Sequence, residues 1–139
     1  MDNKTVEQLS KACLGDAGCC NNFAVAALVL ALSKESGKTY ACARPYNKVE
    51  WWVCENDTWS STDANSLWLM IPQQAFDVLE KLRLEMFATE CKEAGDDMDD
   101  AVKKNKVRAK CVGSLKSLSK CNRVFKAIER LSLRATPPS

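Results

Sequence analysis

The stretch Val49-Glu50-Trp51-Trp52-Val53-Cys54-Glu55-Asn56-Asp57-Thr58-Trp59 contains three of the four tryptophans of the chain. Its first half alternates with a period of two and is rich in aromatic and β-branched side chains, which is typical of a β-strand. Residues 55–58 have turn chemistry, and Trp59 begins a short return strand. Because a lone hairpin is barely stable, we expect its indoles to pack on the flanking helical segments. The alternative is a stacking platform for single-stranded nucleic acid.

The segments before the hairpin predict two helices and a further strand. Residues 4–14 predict a short helix with Thr5 as its N-cap. Residues 22–35 are apolar nearly all round, which predicts a buried central helix capped by Asn21 or Asn22 and ended by Gly37. Residues 39–43 read as a strand that joins 49–54 and 58–60 in a meander.

Three helices are predicted after the hairpin. The first has an apolar face formed by Leu67, Ile71, Ala75, Val78, Leu82 and Met86, and Pro72 either kinks it or marks a new first turn. Two more follow at about 99–112 and 120–133. The expected fold is therefore α+β and mostly helical, with about five helices and a small three-stranded antiparallel meander. We expect one domain over residues 1–135 and the start of a Pro-rich linker at 136–139.

The chain has eight cysteines but no histidine. There is no CxxC motif, and the cysteines lie in helical or strand-like runs, so neither zinc nor a disulfide scaffold is favoured. The first residues, interrupted by Asp2, Lys4 and Glu7, lack the pattern of a secretory signal peptide. We expect reduced, mostly buried thiols and an intracellular protein.

Two short motifs suggest chemistry that their context does not support. Residues 36–39, Ser-Gly-Lys-Thr, look like the end of a phosphate-binding loop, but Leu32 stands where that motif needs glycine and the strand–helix order is reversed. The acidic run 96–100 suggests a metal site, yet its spacing favours a solvated loop or a helix N-terminus. No nucleophile with a base is evident, so we expect no enzyme activity and no cofactor.

The net charge of +2 hides a strong asymmetry. Residues 1–100 carry nine Lys/Arg and 17 Asp/Glu, whereas residues 101–139 carry eleven Lys/Arg and one acid, Glu129. Such a division indicates a basic surface for nucleic acid or for an acidic partner, or a solvated face that pairs with the acidic part of the same chain. The last helix favours external contact, because its basic residues fall opposite an apolar sector that includes Val124 and Ile128. The candidate contact residues are Lys103, Lys104, Lys106, Arg108, Lys110, Lys120, Arg123, Lys126, Arg130 and Arg134.

The order of these features resembles the accessory region that precedes the superfamily 3 helicase core in primase-helicases of poxviruses, other large DNA viruses and some phages. The resemblance covers about residues 16–134. It depends on Asp16-Ala17-Gly18, on the hairpin with Trp51-Trp52-Val53 and Trp59, and on Leu115-Lys116-Ser117-Leu118-Ser119-Lys120-Cys121-Asn122-Arg123-Val124-Phe125-Lys126-Ala127-Ile128. The chain departs from that family in its cysteine content and in its acidic run, and it has no ATPase motifs.

The resemblance implies a non-catalytic domain that helps to assemble the helicase ring, contacts DNA, or both. It also implies that the intracellular location is a viral replication site or a phage-infected bacterial cytoplasm. The implied partners are single-stranded DNA bound without sequence preference, a helicase motor domain after this segment, and further copies of the protein; no membrane is expected. The alternative function is a protein-interaction module that self-associates through its acidic and basic parts.

Overall fold

The computed structural model describes residues 3–15 and 19–138. Two helices come first, α1 (Asn3–Cys13) and α2 (Asn22–Glu35). Thr5 lies inside α1 and is not its N-cap. Asn21 caps α2, because its side chain accepts a hydrogen bond from the backbone N–H of Ala24. The Asp16-Ala17-Gly18 part of the resemblance lies outside the described residues.

The sheet is the expected antiparallel meander, with β1 (Thr39–Ala43), β2 (Glu50–Glu55) and β3 (Thr58–Thr62) in that order. Asn56 and Asp57 connect β2 to β3 with φ values of 52° and 61°. Positive φ at both central residues is what a two-residue hairpin turn requires, and Asn and Asp tolerate it better than most residues. The turn chemistry in the sequence therefore fixed the register of the hairpin.

The long helix continues through Pro72 instead of restarting there. α3 (Asn65–Met70) passes through a π-helical turn (Ile71–Ala75) into α4 (Phe76–Ala94). A π turn adds one residue to the helical repeat, so the proline ring is accommodated without breaking the helix. The added residue also rotates the buried face, and Leu79 is buried where Val78 was expected.

Two further helices complete the described chain, α5 (Asp99–Gly113) and α6 (Leu118–Ser132). A short 3₁₀ turn at Ser114–Lys116 separates them, so the apolar register expected to run past Gly113 is interrupted. The N-cap of α6 is Ser117, whose hydroxyl accepts from the backbone N–H of Lys120. With α3, the π turn and α4 counted as one helix, the described residues form five helices, which confirms the mostly helical α+β fold.

The hydrophobic core surrounds α2, which packs against α1, α6, the π turn, α3 and β1. Trp51 joins the sheet to this core, because its ring lies 5.6 Å from that of Phe125 on α6. α4 and α5 pack on each other as a helical hairpin. The largest fully buried side chains include Leu14, Leu28, Leu67, Ile71, Leu79, Leu115 and Ile128.

All eight cysteines are free thiols. Asp99 and Asp100 occupy the first turn of α5, where negative charge complements the helix dipole. In the described part of the chain, no three His, Cys, Asp or Glu side chains are placed to hold a metal ion. No helix among the described residues combines the length and apolarity needed to cross a bilayer.

Candidate nucleic-acid interface

A basic groove lies where the first turn of α2 meets α6 and the end of β1. It has a volume of about 570 Å³. Four cationic side chains and one carboxylate line it, together with an aromatic ring and two smaller residues. The lining residues are Asn22, Phe23, Arg44, Arg123, Lys126, Ala127, Glu129 and Arg130. We refer to this set as the basic groove.

α6 supplies most of the positive charge of the groove, because one face of this helix is apolar and the other is basic. Val124, Ala127 and Ile128 are buried against the core. Arg123 directly precedes these positions in sequence, Lys126 lies between them and Arg130 follows them, and all three are exposed. The helical period therefore turns three cations to the outside while the apolar positions anchor α6.

β1 and the residue that follows it form another wall of the groove. The thiol of Cys42 donates to the carbonyl oxygen of Glu129 at 3.3 Å, which ties β1 to α6. Arg44, two residues on, pairs with the Glu129 carboxylate at 2.8 Å. Glu129, the one acid among the described residues that line the groove, is thus neutralised by Arg44, which itself remains 57% exposed.

The remaining cations are available to a ligand. Arg123 donates to the hydroxyl of Ser119 at 2.7 Å, a neutral partner that leaves its charge uncompensated. Within residues 3–15 and 19–138, no carboxylate pairs with Arg123, Lys126 or Arg130. Three uncompensated cations along one groove attract phosphates or carboxylates.

Two of the residues expected to contact a partner bind groups within the chain instead. Arg108 is only 7% exposed. Its guanidinium pairs with Glu90 at 2.8 Å and donates to the carbonyl oxygen of Leu14 at 3.3 Å. Lys120 is half-buried, and its ammonium donates to Cys20 O at 2.6 Å and to Asn22 Oδ1 at 2.8 Å. The prediction that Arg108 contacts a partner was therefore wrong. Lys120 instead hydrogen-bonds to residues at the start of α2.

The other predicted cations lie on separate parts of the surface. Lys103, Lys104, Lys106 and Lys110 are exposed on α5 and do not line the basic groove. Lys104 lies 3.6 Å from Asp100 on the same helix. Arg134 follows the end of α6, so it does not share the basic helical face to which it was assigned. The structure thus brings only Arg123, Lys126 and Arg130 of the predicted set together.

Arg134 instead fastens the segment after α6 to the sheet. Its backbone N–H donates to Cys42 O at 2.8 Å, next to a parallel bridge between Leu133 and Cys42. Its guanidinium stacks over the ring of Trp59 with 4.7 Å to the ring centroid. One face of that indole is therefore already covered.

The tryptophans of the hairpin divide between the two faces of the sheet. Trp51 is 8% exposed and belongs to the core. Trp52 and Trp59 are half-buried. Trp59 pairs with Cys54, two residues from Trp52 on the same strand, which places both rings on the face opposite Trp51. The expectation that these rings are core holds fully for Trp51 and partly for the other two.

Phe23 and Arg44 line the basic groove but were not among the predicted site residues. Phe23 opens an apolar run whose other members suggested complete burial, and Arg44 lies in a turn remote in sequence from α6. Neither residue has a local sequence signal for a site, because the groove forms only when β1 and α2 pack beside α6.

A second, acidic groove of about 640 Å³ lies between α1 and α4. Its apolar floor contains Leu82 and Met86, and its walls carry four carboxylates and one lysine. Two of those carboxylates are paired within the chain, Glu7 with Lys11 and Glu90 with Arg108. The carboxylates are Glu7, Glu85, Glu90 and Glu93.

Comparison with known proteins identified no relative of this chain: no family model, no curated protein and no solved structure matches it.

Proposed function

We propose that this chain is a non-catalytic accessory domain of a viral or phage replicative primase-helicase, and that it contacts DNA through the basic groove. The observation that carries the DNA contact is the row of Arg123, Lys126 and Arg130, which have no carboxylate partner among the described residues. The primase-helicase context rests on the sequence resemblance. A motor domain after this segment, ring assembly in the full protein and an intracellular site belong to the same proposal.

The chemistry of the basic groove suits phosphate. Arginine offers a planar fork of N–H donors that matches two phosphate oxygens, and lysine supplies a compact charge. Contacts of this kind release counterions from the nucleic acid and hold the backbone without reading the bases. We therefore expect binding that depends strongly on salt and weakly on sequence.

The test is a triple variant, Arg123→Ala with Lys126→Ala and Arg130→Ala, titrated against labelled single strands of two unrelated sequences at several salt concentrations. We expect weaker binding to both sequences. The slope of log affinity against log salt should become shallower by about 2, since each lost contact to a single strand removes about 0.7. The free energy of unfolding should stay within about 0.5 kcal/mol of the parent value, because all three side chains are exposed.

The matched control is Lys103→Ala with Lys104→Ala and Lys106→Ala, which removes the same charge from the exposed side of α5. This variant should retain most of the affinity. Equal losses in the two triple variants would show that net charge, and not the basic groove, attracts the DNA. Absence of binding by the parent protein at low salt would refute DNA contact by this domain.

The acidic groove favours a second candidate function, self-association without nucleic acid. Glu85 and Glu93 have no basic partner within the described residues, and they flank the apolar Leu82 and Met86. A surface with apolar and acidic parts could receive the exposed arginines of a second copy. The two candidates make opposite predictions for the mass of the isolated domain in solution.

A further inference from the structure

Phe23 is the one apolar residue of α2 that is exposed. Val25, Ala26, Leu28 and Val29 of α2 are fully buried, whereas Phe23 is 48% exposed. Its ring lies on the wall of the basic groove, beside the row of cations on α6. A single exposed apolar residue is normal in a protein, but this ring lies in a groove beside uncompensated cations, and that arrangement suits a ligand with both phosphate and an aromatic surface.

We infer that Phe23 is a base-stacking residue for single-stranded DNA in the basic groove. This role rests on the proposed function, and it adds a contact with the bases of the strand to the contacts with its phosphates. A strand lying along Arg123, Lys126 and Arg130 carries an unpaired base on every nucleotide, and one of these bases covers the ring of Phe23. Every base has a π face, so this contact is tolerant of sequence.

The surroundings of Phe23 suit such a ligand. The groove volume of about 570 Å³ lies within the range of small-molecule sites, which is ample for one nucleotide. The ring belongs to the first turn of a 14-residue helix, whose N-terminal dipole adds positive potential. Among the described residues, Glu129 is the only acid that lines the groove, and its pair with Arg44 removes its repulsion of phosphate.

The inference predicts a preference for single strands over duplex. In a duplex the bases are stacked on one another and cannot reach a side chain on the protein surface. A duplex would therefore meet only the cations of the groove, whereas a single strand would gain the ring of Phe23 as well. The hairpin tryptophans offer a poorer platform, because Arg134 already covers one face of Trp59.

The first experiment uses the parent protein and three labelled probes in fluorescence anisotropy at one salt concentration. The probes are a thymidine 12-mer, an abasic 12-mer with the same number of phosphates, and a 12-base-pair duplex. We expect the thymidine strand to bind about five times more tightly than the abasic strand, or better, since stacking of one base is worth at least that ratio. Equal affinities for the two strands would overturn the role of Phe23 while leaving phosphate contact intact.

The second experiment compares Phe23→Ala with Phe23→Trp. Phe23→Ala should bind the thymidine strand as weakly as the abasic one, with an unchanged affinity for duplex and an unchanged salt slope. Phe23→Trp should restore the preference for the thymidine strand. A uniform loss for all three probes in Phe23→Ala would overturn the inference, because it would indicate a disturbed groove. Failure of the parent protein to bind any probe would refute the proposed function and the stacking role together.

Discussion

Trp51 is the tryptophan whose loss should cost the most stability. Its ring is 8% exposed and contacts Phe125, whereas Trp52 and Trp59 are half-buried. We expect Trp51→Ala to lower the free energy of unfolding by about 3–5 kcal/mol, because it leaves a cavity between sheet and helix. Trp52→Ala should cost about 1–2 kcal/mol, since part of its surface is already in water. Urea denaturation followed by circular dichroism measures both, and equal costs would contradict the assignment of Trp51 to the core.

Arg108 should behave as a structural residue. Its side chain is 8% exposed in the pair with Glu90, and its guanidinium also donates to the carbonyl oxygen of Leu14, just after α1. Arg108→Ala leaves that carboxylate and carbonyl without a donor, so we expect a loss of about 3 kcal/mol in the free energy of unfolding. Lys106→Ala, an exposed change on the same helix, is the control and should be nearly neutral. DNA binding measured on folded Arg108→Ala protein should be unchanged.

The buried thiols should make the protein sensitive to alkali. Burial raises the pKa of Cys13 to about 12 and that of Cys42 to about 11. The folded state therefore keeps protons that the unfolded chain releases above the usual thiol pKa. The contribution of these thiols to stability should be constant up to about pH 8.5 and should then fall as the pH rises towards the folded-state values.

Urea midpoints measured with reductant from pH 7 to pH 10.5 test this sensitivity. The urea midpoint of Cys13→Ala should decrease less at alkaline pH than that of the parent, because the variant lacks one of the thiols whose pKa is raised by folding. An identical decrease in both proteins would assign the effect to other groups, such as lysine and tyrosine side chains.

Individual residues could be predicted only where their own neighbourhood determines their environment. Trp51 and the cations of α6 were found because alternation and helical periodicity fix which side of an element they occupy. The burial of Arg108 depends on Glu90 and Leu14, which lie 18 and 94 residues away in sequence. Phe23 is a large apolar residue in an apolar helix, so its sequence predicts burial in the core. Only the packing of α2 against α6 leaves its ring beside the groove.

At the scale of elements, the hairpin turn offers a direct test of local conformation. Asp57 has a φ of 61°, a value that glycine adopts without the steric cost paid by other residues. Asp57→Gly creates the Asn-Gly pair that such turns prefer and should raise stability by a few tenths of a kcal/mol. Asp57→Val should lower it by about 1–2 kcal/mol, because a β-branched residue is strained at positive φ. Thermal melting of the two variants should move in opposite directions.

The strands and most helices could be predicted from the sequence. The residues that the long helix buries after its π turn could not. The spacing of Leu67, Ile71 and Ala75 located the helix correctly. Pro72 could be read as a kink or as a start, because the π turn that accommodates it has no sequence signature of its own. The end of α6 was predicted to within a residue, at 133 against Ser132. Arg134 continues the helical periodicity in sequence, but its backbone N–H donates to Cys42 O of β1, so its side chain leaves the basic face.

At the scale of the whole molecule, the acidic and basic parts of the sequence contribute to two grooves of opposite charge. We expect the isolated domain to sediment as a monomer of 15.4 kDa, since the proposed DNA contact needs no second copy. Sedimentation velocity at low and moderate salt measures this directly. A dimer that dissociates with salt and is abolished by Glu85→Lys with Glu93→Lys would instead support self-association through the acidic groove. Val102→Asp, at an exposed apolar position of α5, serves as a control for non-specific association.

The attachment of Arg134 to β1 and Trp59 also determines how the domain carries force. Tension on the residues that follow would meet the contacts of Leu133 and Arg134 with Cys42 before it meets the last turn of α6. Displacement is transmitted instead to Cys42, whose thiol holds Glu129, the partner of Arg44. Movement of the chain beyond α6 would therefore displace a wall of the basic groove. Under the proposed function, it would change how a DNA strand fits the groove without changing the cations that line it.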